Sequence, residues 1–209
     1  MTAAAEGMPV TAADEGMPVT AADEGMPVTA AGGGKPVTAA GEGNPAAPVD
    51  AGAFRRAAGR IPTGIVVVCT SLQGTGHAMT VSAFTSVSLD PLLVLFCAEK
   101  IARFHDAVLE AGVWSVSVLD EESEKTARWL ATRGRPLEGQ LDQIAHHPGP
   151  VTGSPILDAA LASLECRTAA VHDGGDHSIV VGEVVGVSEP EDGGPLIYFG
   201  GDYRRLATD

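Results

Sequence analysis

The first 50 residues contain no aromatic residue, no cysteine and only one basic residue, Lys35. Ala, Gly, Pro, Val, Thr and acidic residues fill most of these positions, and such a segment buries too little apolar area to offset the entropy of ordering it. All Phe, Trp, Tyr and Cys residues follow Asp50. The composition therefore predicts a disordered tail over residues 1–50 and one folded domain over residues 51–209, which is long enough to form a single core.

The predicted tail repeats a unit of nine residues. Residues 6–14 read EGMPVTAAD, residues 15–23 repeat them without change, and the later copies decay. A unit with Pro and Gly in every copy does not sustain a helix, and these copies lack the apolar content of a solenoid turn. The repeat favours a disordered or extended tail, with a binding arm that presents Met-Pro-Val units as the alternative.

Basic residues are scarce over the whole chain, which has 13 Lys and Arg against 27 Asp and Glu and a formal net charge of −14. This balance argues against binding to nucleic acid or to anionic membranes. No run approaches the roughly 18 apolar residues of a membrane-spanning helix, and the N-terminus lacks the basic and apolar regions of a secretory signal. We therefore expect a cytoplasmic protein with no nucleic-acid or membrane partner.

The three cysteines, Cys69, Cys97 and Cys166, are widely spaced, and each lies in an apolar run. Because no C-x-x-C pair occurs, neither a redox motif nor a zinc site is indicated. Buried free thiols in a reducing compartment are the expected state.

Several common catalytic motifs are absent. Residues 74–79 (GTGHAM) lack the third glycine of a dinucleotide-binding fingerprint, and the sequence contains no P-loop, no G-x-S-x-G elbow and no H-E-x-x-H. His146 and His147 are adjacent and have no nearby cluster of ligands, so no metal site is expected.

Strand-sized apolar runs recur between turns, whereas the helical patterns are short. Residues 113–119 (VWSVSVL) alternate, with Trp114, Val116 and Val118 on one face. A helix is predicted over residues 104–111 and ends at Gly112, and a second one over residues 121–132 has Ala127, Leu130 and Ala131 available to a core. The remaining strands are predicted over residues 64–70, 79–84, 92–97, 160–171, 178–187 and 196–199. This pattern favours a mainly β fold, a closed or partly closed barrel, over a doubly wound sheet.

Residues 79–91 (MTVSAFTSVSLDP) form a hydroxyl-rich segment between apolar strands. One interpretation is an edge strand with a solvated Ser/Thr face. The other is a strand and turn whose amides and hydroxyls bind a flat ring with hydrogen-bond acceptors and a phosphate, and a flavin has both.

A second candidate feature is the segment 171–177 (VHDGGDH). Asp-Gly-Gly predicts a turn that places His177 at the start of the next strand. Such a histidine is usually structural, but Asp176 can orient the imidazole toward a ligand.

These residues, taken in order, resemble the short-chain flavin reductase family, the reductase components of two-component flavin-dependent monooxygenases. The resemblance runs from about Phe54 to Tyr203. Its two main departures are Ala83, where the family often has Ser, and Leu92, where it often has a second Pro. The matching pieces are FRRA at 54–57, PTGIVVV at 62–68, residues 79–91, LLVLFC at 92–97 with Lys100, GSPIL at 153–157, LEC at 164–166, GDH at 175–177, VGEV at 181–184, PLIY at 195–198 and GDY at 201–203.

The resemblance implies a split β-barrel with a few short peripheral helices, which forms a homodimer with flavin at the subunit interface. FMN or FAD is the implied cofactor and NADH or NADPH the implied hydride donor, and His177 is assigned to the nicotinamide side. Lys100 or Arg103 is assigned to the flavin phosphate by charge. The implied flavin-binding residues are Thr80, Val81, Ser82, Ala83, Phe84, Ser86, Val87, Ser88, Cys97, Ala98, Lys100, Arg103 and Phe104.

The function implied by the resemblance is an NAD(P)H-dependent flavin reductase that supplies reduced flavin to a separate oxygenase, by diffusion of the reduced flavin. Two alternatives remain open. One is a flavin-binding protein on the same barrel without turnover, and the other is an interaction module whose repeat tail recruits an oxygenase. The sequence decides neither FMN against FAD nor NADH against NADPH.

Overall fold

The computed structural model describes residues 48–188 and 192–207, so residues 1–47 of the predicted tail lie outside the described residues. None of the helices in these two ranges is long and apolar enough to cross a membrane. The helices are α1 (Ala51–Ala58), α2 (Arg103–Ala111) and α3 (Glu124–Ala131). The strands are β1 (Thr63–Gly64), β2 (Val66–Leu72), β3 (Thr75–Val81), β4 (Phe84–Leu89), β5 (Leu92–Glu99), β6 (Val113–Leu119), β7 (His146–Pro148), β8 (Pro155–Leu157), β9 (Ala160–Gly174), β10 (His177–Val187), β11 (Ile197–Phe199) and β12 (Asp202–Arg204).

Seven strands form the main sheet, in the order β3-β2-β6-β9-β10-β5-β4. Every neighbouring pair in it is antiparallel. Two small sheets, β1-β11-β12 and β7-β8, accompany it. The mainly β class predicted from the sequence is therefore confirmed.

The main sheet is strongly curled, because its two edge strands are consecutive in the chain. Seven flat strands would separate β3 from β4 by about 29 Å, at about 4.8 Å per strand. Only Ser82 and Ala83 join these strands, and such a link spans at most about 11 Å between Cα atoms. The backbone N–H of Cys97 on β5 also donates to the carbonyl oxygen of Ala83, at 3.1 Å. The sheet is thus an open barrel whose edges meet at residues 82–83 without pairing in the described chain.

Both faces of β2 are buried, which explains its unbroken apolar sequence. Val66 and Val68 lie in one core cluster with Trp114 of β6 and helix α2. Val67 and Cys69 lie in a second cluster with Leu130 of α3. The two clusters place α2 on one side of this strand and α3 on the other.

The alternation predicted for β6 is present, but its serines are not solvated. Ser115 and Ser117 are fully buried. The hydroxyl of Ser115 donates to the carbonyl oxygen of Pro155. The hydroxyl of Ser117 accepts from the N–H of Leu157, at 3.0 Å. These bonds attach strand β8 to the main sheet.

Three details of the sequence predictions were wrong. The strand predicted over residues 79–84 is interrupted at residues 82–83, between the end of β3 and the start of β4. Ala131, expected to face the core, is exposed, whereas Ala127 and Leu130 are buried as predicted. Cys97, expected to be buried, is only partly so, whereas Cys69 and Cys166 are buried. All three thiols are free.

The turn predicted at Asp-Gly-Gly is confirmed and joins the two longest strands. The pairing of β9 with β10 reaches the turn, where His177 lies opposite Gly174. Gly175 in this turn has a φ of +80°, a conformation that favours glycine. His177 is the first residue of β10, as the sequence predicted.

Candidate functional site

A cavity of about 560 Å³ lies where the open barrel meets the ends of α2 and α3. Such a volume suits a drug-sized or nucleotide-sized ligand. The lining consists of residues 77–83, 97, 99, 101–104, 130–135, 137, 140 and 177.

The link between β3 and β4 forms one wall of this cavity. The last paired residue of β3 is Val81, and the first paired residue of β4 is Phe84. Ser82 and Ala83 lie between these two residues. Their backbone N–H groups therefore take no part in the pairing of either strand, and both residues are exposed at the cavity. A ligand with hydrogen-bond acceptors along one edge is suited to this wall.

Thr80 has a structural role besides its place in the lining. Its hydroxyl donates to the carbonyl oxygen of Ala127 in α3, at 2.7 Å. This bond connects β3 to the helix that carries the next part of the wall.

Three arginines, Arg103, Arg133 and Arg135, line the cavity together with a single acidic residue, Glu99. This local positive balance contrasts with the net charge of −14 of the whole chain. A cleft lined by charges of one sign attracts a ligand of the opposite sign, so this cavity favours an anion.

Arg135 braces the loop that follows α3. Its guanidinium donates to the carbonyl oxygens of Thr132, at 2.9 Å, and of Ala78 in β3. Burial lowers the pKa of Arg135, and the nearby charge of Arg103 lowers it further. Arg103 in turn donates to the carbonyl oxygen of Arg135. The two guanidinium groups thus fix the loop against β3 and the start of α2.

His77 also reaches the cavity, from the middle of β3. Burial lowers the pKa of its imidazole, and the positive charge of Arg103 lowers it further. The lowered pKa favours the neutral imidazole, which adds a hydrogen-bonding group without adding charge.

His177 lines the cavity at the start of β10, and its orientation is set by its neighbour. Its Nδ1 lies 2.7 Å from Oδ1 of Asp176, and this hydrogen bond lowers the pKa of the aspartate. With Nδ1 bonded to the carboxylate, Nε2 is the ring nitrogen left for a ligand.

The residues assigned from the resemblance divide into two groups. Eight of them line the cavity, namely Thr80, Val81, Ser82, Ala83, Cys97, Arg103, Phe104 and His177. Six do not line it in the single chain, namely Phe84, Ser86, Val87, Ser88, Ala98 and Lys100.

The six outlying residues have different surroundings. Ala98 is fully buried in the core, and Lys100 forms an ion pair with Asp173 of the β9–β10 hairpin. Ser86, Val87 and Ser88 lie on β4, the edge strand of the main sheet. The assignment of the six residues to flavin binding stays a prediction.

The loop over residues 132–140 supplies much of the wall and was not identified from the sequence, which showed only a long Gly/Pro-containing loop. One signal was available. Arg133-Gly134-Arg135 places two arginines almost side by side in a chain with few basic residues, and such a pair favours an anion site.

The flavin reductase like domain model matches residues 58–207 of the chain. The chain belongs to this family. The match covers all the cavity-lining residues and leaves out the repeat tail.

Among the flavin reductase relatives is the reductase component of 4-hydroxyphenylacetate 3-monooxygenase from Thermus thermophilus. It is 42% identical over 154 residues, which cover 74% of this chain and 95% of the relative. The NADH-dependent FAD reductase of Streptomyces globisporus is 37% identical over 163 residues, which cover 78% of this chain and 89% of the relative.

A solved flavin reductase has the same fold. BorF, the flavin reductase component of a bacterial two-component tryptophan halogenase, superposes with a TM-score of 0.72 at 37% identity, covering 77% of this chain and 100% of that protein. The open sheet described above is thus the flavin reductase fold.

Proposed function

We propose that this protein is an NAD(P)H-dependent flavin reductase, which reduces FMN or FAD by hydride transfer and supplies the reduced flavin to a separate oxygenase. The observation that carries the proposal is the cationic cavity of an acidic protein, with backbone amides on one wall and an oriented histidine at its margin. The relatives named as FAD reductase and monooxygenase reductase component support the same activity.

The residues present fit a flavin. The ring needs a flat cleft with donors at one edge for its carbonyl groups, and the N–H groups at Ser82 and Ala83 supply such donors. The phosphate tail needs cations, and Arg103, Arg133 and Arg135 line the same cavity. A volume of about 560 Å³ accommodates the ring and part of the tail.

The hydride transfer itself is chemistry that the flavin and the nicotinamide supply when both are bound. The protein residues orient the two partners and shield them from water. His177, with Nδ1 held by Asp176, directs Nε2 toward the nicotinamide or its amide group. No side chain acts as a strong acid or base in this scheme, which agrees with the absence of a catalytic triad motif from the sequence.

A homodimer is part of the proposal, because β4 pairs only with β5 among the described strands and this edge of the sheet has exposed apolar side chains. Val87 is 49% exposed, Leu89 is 87% exposed, and Leu92 at the start of β5 is 48% exposed. Exposed apolar edges of this kind promote association with another chain. Light scattering in solution measures the oligomeric state.

The cytoplasm is the compartment we propose for this reaction. Free cysteines persist there, and Cys69, Cys97 and Cys166 are all free.

Four assays test the proposal: NADH and NADPH, each with FMN and with FAD. We expect nicotinamide oxidation that depends on added flavin in at least one pair. A yellow protein that binds flavin but oxidises neither nicotinamide would contradict the reductase and indicate a flavin-binding protein without turnover.

A further inference from the structure

Two residues of the cavity lining, Arg133 and Glu99, form an ion pair. Glu99 is the last residue of β5, and Arg133 follows Thr132, the C-cap of α3. Nη2 of Arg133 donates to both carboxylate oxygens of Glu99, at 2.6 and 2.8 Å. Both residues belong to the lining, so the pair connects two parts of the same wall.

The guanidinium of Arg133 is held less firmly by the protein than those of Arg103 and Arg135. Arg103 and Arg135 donate to backbone carbonyl oxygens, which cannot move away without distorting the loop. Arg133 binds a side chain, and its own side chain is 74% exposed. Its Nε and Nη1 take no part in the bonds to Glu99.

Lys100, which was assigned with Arg103 as a candidate for the flavin phosphate, forms its ion pair outside the cavity. It pairs with Asp173 on the β9–β10 hairpin, and it is not part of the cavity lining. Arg133 is therefore better placed than Lys100 to meet an anion inside the cavity.

We propose that Arg133 is the phosphate-binding residue of this cavity and that Glu99 occupies its guanidinium until a nucleotide phosphate displaces the carboxylate. The proposal rests on the proposed function, because it assumes that the ligand is a nucleotide. The shared chemistry is a phosphate monoester or pyrophosphate, carried by the flavin or by the nicotinamide nucleotide.

The exchange is physically reasonable, because an ion pair that solvent reaches on one side contributes only modestly to stability, and the Arg133 side chain is 74% exposed while that of Glu99 is 28% exposed. A phosphate monoester offers three acceptor oxygens and more negative charge than a carboxylate, a pyrophosphate carries two negative charges in all, and the guanidinium fork matches these groups. After the exchange, the Glu99 carboxylate remains near the phosphate and repels it. Removing that charge should therefore tighten the binding of a phosphorylated ligand.

The test measures binding without turnover in the full chain. Riboflavin, FMN and FAD are titrated by quenching of flavin fluorescence, and NAD⁺ is titrated by calorimetry. The variants are Arg133→Gln, Arg133→Lys and Glu99→Gln. Arg205→Gln is the matched control, because Arg205 is also an exposed arginine paired with a glutamate, Glu122, but lies outside the lining.

We expect Arg133→Gln to weaken FMN binding about tenfold or more, the loss typical of a charge-assisted hydrogen bond. Riboflavin, which has no phosphate, should bind as it does to the unaltered protein. Arg133→Lys should restore part of the loss, Glu99→Gln should bind FMN about threefold more tightly, and Arg205→Gln should change nothing. If the phosphate belongs to the nicotinamide nucleotide, Arg133→Gln weakens NAD⁺ instead of FMN.

Three results would overturn the proposal. They are unchanged binding of FMN, FAD and NAD⁺ by Arg133→Gln, an equal loss for riboflavin and FMN, and weaker FMN binding by Glu99→Gln. Failure of the proposed function is a separate result. In that case the unaltered protein oxidises no nicotinamide, whatever Arg133→Gln does to FMN binding.

Discussion

His177 and Arg133 reach the cavity with groups free to meet a ligand, whereas Thr80 and Arg135 use theirs to hold the walls together. Thr80 bonds to α3 and Arg135 to the backbone of β3 and of its own loop. Residues of the first kind should alter ligand binding when they are replaced, and residues of the second kind should alter stability as well.

Replacement of His177 by Ala should raise the KM for the nicotinamide about three- to tenfold, the cost of one lost hydrogen bond. The KM for flavin should change less, because the proposed flavin contacts lie on the β3–β4 link and the arginines. Steady-state kinetics with each substrate varied in turn measure both constants.

His172→Ala is the control for that experiment, since His172 is exposed on the same hairpin and does not line the cavity. Unchanged kinetics for both substrates in His177→Ala would remove His177 from the mechanism.

Cys97 should be the thiol that reagents reach in the folded protein. It lines the cavity, and partial burial raises its pKa above the ordinary value. Burial raises the pKa of Cys69 and of Cys166 to about 12. At pH 8 Cys97 should therefore react more slowly than a free thiol and faster than the other two, and its rate should rise with pH as thiolate forms.

Mass spectrometry of the labelled protein, with and without FMN, measures this order of reactivity. FMN should slow the labelling of Cys97. Modification of Cys69 or Cys166 first, or no protection by FMN, would argue that the cavity is not the flavin site.

The sequence identified the residues whose spacing and type carry a local signal. The hydroxyl-rich segment and His177 were found in this way. Arg133 was not, although the Arg133-Gly134-Arg135 pair was a signal, because its proposed role depends on Glu99, which lies 34 positions earlier in the chain. No local pattern reports a contact between a strand end and a distant loop.

At the scale of the elements, strand β10 passes so close to Trp114 that only glycine fits at position 182. A Cβ atom added to Gly182 would lie 2.2 Å from Cζ2 of Trp114, which is fully buried in β6. Gly182→Ala should therefore destabilise the domain by about 1–3 kcal/mol, as overpacked cores do. Urea unfolding followed by tryptophan fluorescence measures the change.

Gly64→Ala is the matched control for Gly182→Ala. Gly64 also lies in a strand, but a Cβ atom there would meet nothing within 4 Å. Its free energy of unfolding should change by no more than about 0.5 kcal/mol. An equal loss in both variants would show that the loss of glycine, and not the contact with Trp114, causes the effect.

The longer elements could be predicted from their patterns, and of the shortest strands only β11 was predicted, over residues 196–199. The sequence predicted β6 with its observed bounds and α2 to within one residue. The strands β1, β7, β8 and β12 have only two or three residues, too few to show a period of two. Ala131 was misplaced because α3 ends at that residue, where the helical periodicity no longer fixes the direction of a side chain.

At the scale of the whole domain, the position of the cavity follows from the curl of the main sheet. The strand order brings β3 and β4 to opposite edges, and the link at residues 82–83 draws these edges together beside α2 and α3. The class of the fold was predicted from strand-sized apolar runs and turns, and the split β-barrel came from the family resemblance, but no strand order was predicted. Pairing between distant strands leaves little trace in a single sequence.

The most direct test of the proposed activity is anaerobic mixing of the flavin-loaded protein with NADH whose transferable C4 hydrogen is either protium or deuterium. We expect the visible absorbance of oxidised flavin to disappear in step with NADH oxidation, and the deuterated donor to slow both changes equally. A flavin that stays bound and oxidised after NADH is added would contradict hydride transfer in this cavity.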